Sequence, residues 1–150
     1  MEKVKILRLI SGLLATLFFY AALSKLIDFH KSLGEMRNQI FPPMIADTLT
    51  WLIPLLEITL AVLLLFPKTN KLGLWGSFFL LLAFTFYIII ILAGFFGQIP
   101  CSCGGVLKNM SYLTHLFFNL FFLAVSLLGM AIENDWKINN KMFNNKKERT

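Results

Sequence analysis

Residues 72–96, LGLWGSFFLLLAFTFYIIIILAGFF, form a run of 25 residues without a charged side chain. A membrane-spanning α-helix needs about 20 predominantly apolar residues to cross the ~30 Å hydrocarbon core of a bilayer. Three other segments meet this requirement while carrying few charges: residues 6–26, 48–66 and 111–132. The sequence therefore predicts an all-α fold, an integral membrane four-helix bundle that spans the bilayer four times.

The composition of the rest of the chain excludes several classes of protein. Of the 150 residues, 57% are hydrophobic and only 15% are charged, whereas a soluble domain carries about 25% charged residues. A soluble enzyme, a nucleic-acid-binding module and a disordered chain are excluded on this ground. The net charge of +6 is concentrated near the predicted span ends and does not indicate a nucleic-acid partner. The partner that the composition predicts is membrane lipid.

The positions of Lys and Arg predict the orientation of the chain. With both termini cytoplasmic, the inner segments hold ten of these residues and the outer segments hold four, in agreement with the excess of positive charge in cytoplasmic loops. The loops at 27–47 and 97–110 then face outward, to the periplasm of a bacterial inner membrane. The first span could instead be a signal peptide, but its apolar core is longer than usual and no convincing cleavage site follows.

The spans define one membrane domain, residues 1–132, followed by a basic tail. The tail, residues 133–150, is rich in Lys and Asn, and we expect it to be disordered, cytoplasmic and attracted to anionic lipid. Within the first outer loop, apolar residues recur at helical spacing and Pro42-Pro43 ends the pattern: Phe29, Leu33, Met36 and Ile40. This pattern predicts a short amphipathic helix on the outer surface.

The chain has two cysteines, Cys101 and Cys103, and both lie in the second outer loop. A pair separated by one residue in an oxidising compartment should form or cycle through a disulfide. Such a bond would close too short a loop to stabilise the fold, and its geometry would be strained, which favours exchange. The alternatives are a pair of small buried apolar side chains and a Cu(I) site, because soft sulfur ligands prefer that ion.

Polar residues follow one face of the fourth span. They are Ser111, His115, Asn119 and Ser126, which share a helix face. Such residues commonly form hydrogen bonds between membrane helices. Alternatively, His115 lies about one turn below the outer surface and could exchange protons with the cysteines, since imidazole titrates in the appropriate range.

Glu57 is the one acidic residue well inside a predicted span. It lies nine residues beyond Thr48, about 14 Å into the membrane, where a carboxylate is costly and indicates function. Lys25 could reach Glu57 from the outer end of the first span, or Glu57 could be protonated and hydrogen-bonded. A direct pair with His115 is not favoured, because that side chain is only about 6 Å deep.

Small residues predict two sites of close helix packing. The pairs are Gly12 with Thr16 in the first span and Gly73 with Ser77 in the third. Residues of this size at a spacing of four allow two membrane helices to approach closely.

Three motifs together resemble the DoxX-like superfamily, and within it the MauE (methylamine utilisation protein) branch of redox-associated membrane proteins. They are Tyr20-x-x-Leu23-x-Lys25-x-x-Asp28, Pro54-x-x-Glu57, and Pro100-Cys101-Ser102-Cys103-Gly104-Gly105 ahead of His115 and Asn119. The resemblance covers about residues 6–130. It implies a four-helix membrane protein linked to methylamine metabolism, which assists disulfide formation in, or export of, a multi-disulfide protein.

The predicted architecture is also similar to that of quinone-linked thiol oxidases, although fold alone does not determine function. Those oxidases have two cysteine pairs and this sequence has one. The sequence itself requires no cofactor and no metal, and a membrane quinone is a candidate electron acceptor.

The leading hypothesis is thiol–disulfide exchange with periplasmic thiol proteins at the outer face, which would assist the maturation of exported proteins. The residues assigned to it are Cys101, Cys103, His115, Glu57 and Lys25. The cysteines exchange with the partner, His115 tunes their thiolates, and Glu57 with Lys25 orders the bundle or handles a proton. Two alternatives remain, a non-enzymatic membrane assembly or transport factor and a Cu(I)-handling protein.

Overall fold

The computed structural model describes residues 2–94 and 111–147, and the side chains of residues 2–94, 111 and 113–135. The described residues contain five helices and no strand: α1 Glu2–Ile27, α2 Phe29–Arg37, α3 Pro43–Leu65, α4 Asn70–Leu92 and α5 Tyr112–Lys147. Helices α1, α3 and α4, together with Leu113–Asp135 of α5, are long and apolar enough to cross a membrane. The prediction of an all-α chain with four potential spans is confirmed.

The four long helices pack antiparallel to their neighbours. At one end, which we call the Lys3 end, Lys3 of α1 lies 3.3 Å from Asp135 of α5. Close to this end, Asn70 at the start of α4 donates a hydrogen bond of 2.7 Å to Ser11 of α1. Helix α1 packs against α3 and α5, and α4 packs against the same two helices. The bundle is therefore a closed ring in the order α1, α3, α4, α5.

The opposite end of the bundle, the Lys25 end, is where α1 and α4 finish and α3 and α5 begin. Helix α2 lies across this end. Phe29 of α2 contacts Trp51 of α3 with their ring centroids 4.4 Å apart, and Tyr87 of α4 donates a hydrogen bond to Gln39 just after α2. The predicted amphipathic helix is confirmed; residues 38–42 connect it to α3, which begins at Pro43.

The exterior of the bundle is apolar, and its interior holds a small number of polar side chains. Leu9, Phe19 and Leu55 are among many large apolar side chains that are exposed. Among the residues whose side chains are described, the buried polar ones are Ser11, Thr50, Glu57, Asn70, Ser77, Thr85, Asn119, Ser126 and Glu133. This distribution suits a chain surrounded by hydrocarbon, because lipid solvates apolar surfaces while polar groups find partners inside the protein.

Of the two predicted close approaches, one is present among the described residues. A Cβ atom at Gly73 would lie 2.9 Å from the backbone nitrogen of Leu64, so glycine allows α4 to contact the backbone of α3, and the adjacent Ser77 is fully buried. A Cβ atom at Gly12 would have no atom of a neighbouring helix within 4 Å among the described residues. Close packing at Gly12 was therefore wrongly predicted.

Residues 133–147 are helical, whereas the sequence led us to expect a disordered tail after residue 132. Helix α5 does not stop at residue 132 but continues to Lys147. Residues 133–147 contain no Gly or Pro, and extending an existing helix costs far less free energy than starting one.

Candidate functional site

Lys25 and Glu57 form an ion pair between α1 and α3. The Lys25 Nζ atom donates hydrogen bonds of 2.7 Å and 3.0 Å to the two carboxylate oxygens of Glu57. The Glu57 side chain is 2% exposed and that of Lys25 is 17% exposed. Of the two partners considered for Glu57, the structure has Lys25, and each charge compensates the other in a region that solvates neither well.

Local sequence explains how the two side chains are positioned. Lys25 lies in the last turn of α1, where the helix dipole favours a cation, and its Nζ atom also donates to the Ala21 carbonyl at 3.3 Å. Glu57 lies one turn after Pro54, which lacks the N–H that would bond to the Thr50 carbonyl. The pair thus connects a helix end to a position on α3 where the backbone ladder is interrupted.

The ion pair lines a cavity of about 360 Å³ in the part of the bundle next to the Lys25 end. All five helices contribute to its wall, and most of the lining side chains are apolar. The polar side chains that line it are Lys25, Ser32, Glu35, Gln39, Thr50, Glu57, Tyr87, His115 and Asn119. This combination of apolar walls and few polar groups is typical of a small-molecule site.

The cavity borders the outer surface of the bundle between α3 and α4. Leu52 and Leu56 of α3 line it and are 43% and 41% exposed. Ala83 of α4 also lines it and is exposed. Since these residues face both the cavity and the surroundings of the bundle, they mark a side opening at the depth of the apolar spans.

Helix α2 covers the cavity at the Lys25 end. Glu35 and Gln39 line the cavity on the side of the Lys25 end. Arg37 connects α2 to the first turns of α3, because its guanidinium donates hydrogen bonds of 2.6 Å and 2.7 Å to the Asp47 carboxylate. These hydrogen bonds, with the charge of Asp47, raise the pKa of the Arg37 guanidinium above its usual value. We call this covering segment, residues 29–39, the roof.

Asn119 of α5 is a cavity residue whose amide group lacks a partner. Its side chain is 4% exposed, and its Nδ2 atom has no hydrogen-bond acceptor among the described residues. A buried donor without an acceptor costs about 1–3 kcal/mol. The sequence indicated Asn119 as part of a polar helix face and of the third family motif, whereas its unsatisfied amide is evident from the packing alone.

His115 lines the same cavity as Lys25 and Glu57. It is half-buried and lies in the first turn of α5. Three of the five predicted site residues therefore meet at one place. Sequence reasoning assigned no role to the roof residues Glu35 and Gln39, nor to Tyr87, whose positions within an amphipathic loop and an apolar run carry no such signal.

Cys101 and Cys103 lie outside the described residues. The segment that carries them, 95–110, joins the end of α4 to the start of α5, and both of these helix ends belong to the Lys25 end. The described residues contain no group of three His, Cys, Asp or Glu side chains suited to a metal ion. The copper hypothesis concerns the cysteines and stays a prediction.

Comparison with known proteins identifies the family. The family model described as methylamine utilisation protein MauE matches residues 3–132, which include the ion pair, His115 and Asn119. Neither the curated proteins nor the solved structures include a match to this chain. Because the match covers most of the chain and all four potential spans, the protein belongs to the MauE family of multi-pass membrane proteins linked to methylamine utilisation.

Proposed function

We propose that this MauE-family protein carries out thiol–disulfide exchange at the periplasmic face of the bacterial inner membrane, and so assists the maturation of exported proteins. One observation carries the proposal: the segment with Cys101 and Cys103 joins α4 to α5 at the Lys25 end, where His115, Lys25 and Glu57 line a cavity. The charge distribution of the loops supports a periplasmic location of this end.

The exchange proceeds in two balanced steps. A thiolate of the partner protein attacks one sulfur of the Cys101–Cys103 disulfide, which forms a mixed disulfide and releases the other cysteine as a thiolate. The second thiolate of the partner then attacks the mixed disulfide, so the partner gains a disulfide and the pair leaves as a dithiol. Two electrons and two protons thus pass from the partner to Cys101 and Cys103.

His115 is the residue that we assign to proton transfer. An imidazole can accept and return a proton near neutral pH, and the thiolate rather than the thiol is the nucleophile in each step. His115 lies in the first turn of α5, twelve residues beyond Cys103. Lys25 and Glu57 have a structural role in this proposal, because their ion pair joins α1 to α3 beside the cavity.

Renewed turnover requires that the dithiol be oxidised again. We assign this step to a membrane quinone, which takes up two electrons and two protons and becomes a quinol. The opening between α3 and α4 supports this assignment, because its exposed apolar border of Leu52, Leu56 and Ala83 suits a ligand that enters from the membrane.

A trapping experiment in intact cells tests the exchange. Because exchange is reversible, the Cys101 thiolate of the variant Cys103→Ser attacks the disulfide of the oxidised partner and displaces one partner thiolate. No second cysteine of this chain can then release Cys101, so a mixed disulfide with the partner should accumulate and should disappear on reduction. The matched control is Ser102→Ala, which changes the residue between the cysteines and keeps both thiols. Failure of Cys103→Ser to form any reducible adduct would contradict the proposal.

The same variants distinguish the alternative, a non-enzymatic assembly or transport factor. Under the exchange hypothesis, the double variant Cys101→Ser/Cys103→Ser cannot restore the maturation of exported disulfide proteins in cells that lack the wild-type chain. Full restoration by that double variant would favour the non-enzymatic role, because the cavity and the ion pair remain intact in it.

A further inference from the structure

We propose that the cavity beside the Lys25–Glu57 pair is the binding site for the ring of the membrane quinone, with the Asn119 amide as hydrogen-bond donor to one ring carbonyl and the gap between α3 and α4 as the entrance. The choice of a quinone among carbonyl-bearing lipids rests on the proposed function. The existence of a site for a neutral carbonyl compound rests on the geometry alone.

The unsatisfied amide of Asn119 is the first argument for a ligand. The side chain is 4% exposed and lines the cavity, and its Nδ2 atom has no acceptor among the residues that the structure describes. Buried donors in folded proteins are almost always paired. A ligand oxygen in the cavity would supply the acceptor that the described residues do not.

The charges around the cavity favour a neutral head group. Lys25 and Glu57 compensate each other at 2.7 Å, and Glu35 of the roof has a cation in Lys31 at 4.0 Å. An anionic head group would have to compete with Glu57 for the Lys25 ammonium. A quinone carbonyl carries no charge and requires only a donor such as the Asn119 amide.

The roof offers an atom of the opposite hydrogen-bonding type. The Oε2 atom of Glu35 is buried without a donor among the described residues, and Glu35 lines the cavity. The cavity therefore presents one unsatisfied donor and one unsatisfied acceptor. A carbonyl oxygen of the quinone can accept a hydrogen bond from the Asn119 amide. In the reduced form of the ligand, a hydroxyl group can in addition donate a hydrogen bond to Glu35.

The size and opening of the cavity agree with a ring compound that carries an apolar chain. A volume of about 360 Å³ lies within the range of about 300–1,000 Å³ that is usual for small-molecule sites. The ring would occupy the cavity, and the isoprenoid chain would leave between Leu52 and Ala83, whose exposed surfaces border the opening.

Direct binding of a short-chain ubiquinone with one isoprenoid unit tests the site. The probe is titrated against the purified full-length protein in lipid nanodiscs, and its binding is measured calorimetrically. Asn119→Leu should weaken binding about five- to tenfold, which corresponds to the loss of one hydrogen bond. The matched control is Ser126→Ala, two turns along α5, because Ser126 is buried, bonds to the Leu123 carbonyl and does not line the cavity.

A second variant addresses the entrance without altering the polar groups. Ala83→Trp places a large side chain at the exposed border of the cavity and should reduce binding at least as strongly as Asn119→Leu. It also keeps the test decisive if Asn119→Leu does not fold. Absence of probe binding to the wild type, or equal affinity of the wild type and Ala83→Trp, would overturn the proposal.

The double variant Cys101→Ser/Cys103→Ser separates this inference from the proposed function. It should bind the probe like the wild type, because neither cysteine is needed for the hydrogen bond to Asn119. Probe binding combined with a failed trapping experiment would retain the site and remove its role in thiol oxidation. Successful trapping without probe binding would retain the exchange and refute the site.

Discussion

The variant Lys25→Met gives the sharpest test of the site's energetics. It removes the cation from a pair in which Glu57 is 2% exposed and accepts two hydrogen bonds from Lys25. The methionine side chain has nearly the same length, so the change removes charge and hydrogen bonds and leaves packing volume similar. The remaining carboxylate must then stay buried without its partner, or take up a proton.

The expected cost follows from this burial. Removal of one member of a buried ion pair destabilises a protein by about 3–5 kcal/mol, whereas replacement of both members by apolar residues is often neutral. Lys25→Met should therefore lower the free energy of unfolding by about that amount. The double variant Lys25→Met/Glu57→Leu should recover most of the loss.

The assay is reversible unfolding of the purified protein in mixed detergent micelles, followed by circular dichroism. The matched control is Lys3→Met, which breaks the pair with Asp135 at 3.3 Å, where both side chains are more than half exposed. Exposed pairs contribute about 0–1 kcal/mol. If Lys25→Met costs no more than Lys3→Met, or the double variant is as unstable as Lys25→Met, the reasoning about the buried pair is refuted.

Two further predictions concern packing and orientation. Gly73→Ala should lower the free energy of unfolding by about 1–3 kcal/mol, because its Cβ atom would lie 2.9 Å from the Leu64 backbone nitrogen. Gly12→Ala, with open space around it, should instead raise it by about 0.5–1 kcal/mol, and equal effects in chemical denaturation would contradict this account. In intact cells whose outer membrane has been permeabilised, a membrane-impermeant maleimide should label reduced Cys101 but not a reporter cysteine placed at Lys68 in the cysteine-free chain. The opposite labelling pattern would reverse the proposed orientation.

The four potential spans could be predicted from the sequence because the hydrocarbon core imposes a local requirement. Each helix satisfies its own backbone hydrogen bonds and must be apolar over about 20 residues. The run at 72–96 meets that requirement without reference to any other part of the chain. Helix α2 was predictable for a similar reason, since its apolar residues repeat at helical spacing.

The partner of Glu57 could not be chosen from the sequence. A carboxylate inside a span indicates that a compensating group lies nearby, but Lys25 is 32 residues away, and its reach depends on how α1 packs against α3. The small-residue pairs show the same limit. Gly12 and Gly73 belong to similar patterns, yet of the two, Gly73 alone contacts a neighbouring helix backbone in the part of the chain that the structure describes.

The amino-acid sequence by itself determined the class of the protein, its number of potential spans and the need to compensate a buried acid. These properties depend on the free energy of placing each segment or side chain in hydrocarbon. The tertiary structure alone decided that Lys25, Glu57, His115 and Asn119 line one cavity, and that Gln39 and Tyr87 hold a roof over it. Those juxtapositions depend on the order and rotation of the packed helices, which arise from contacts between residues far apart in the chain.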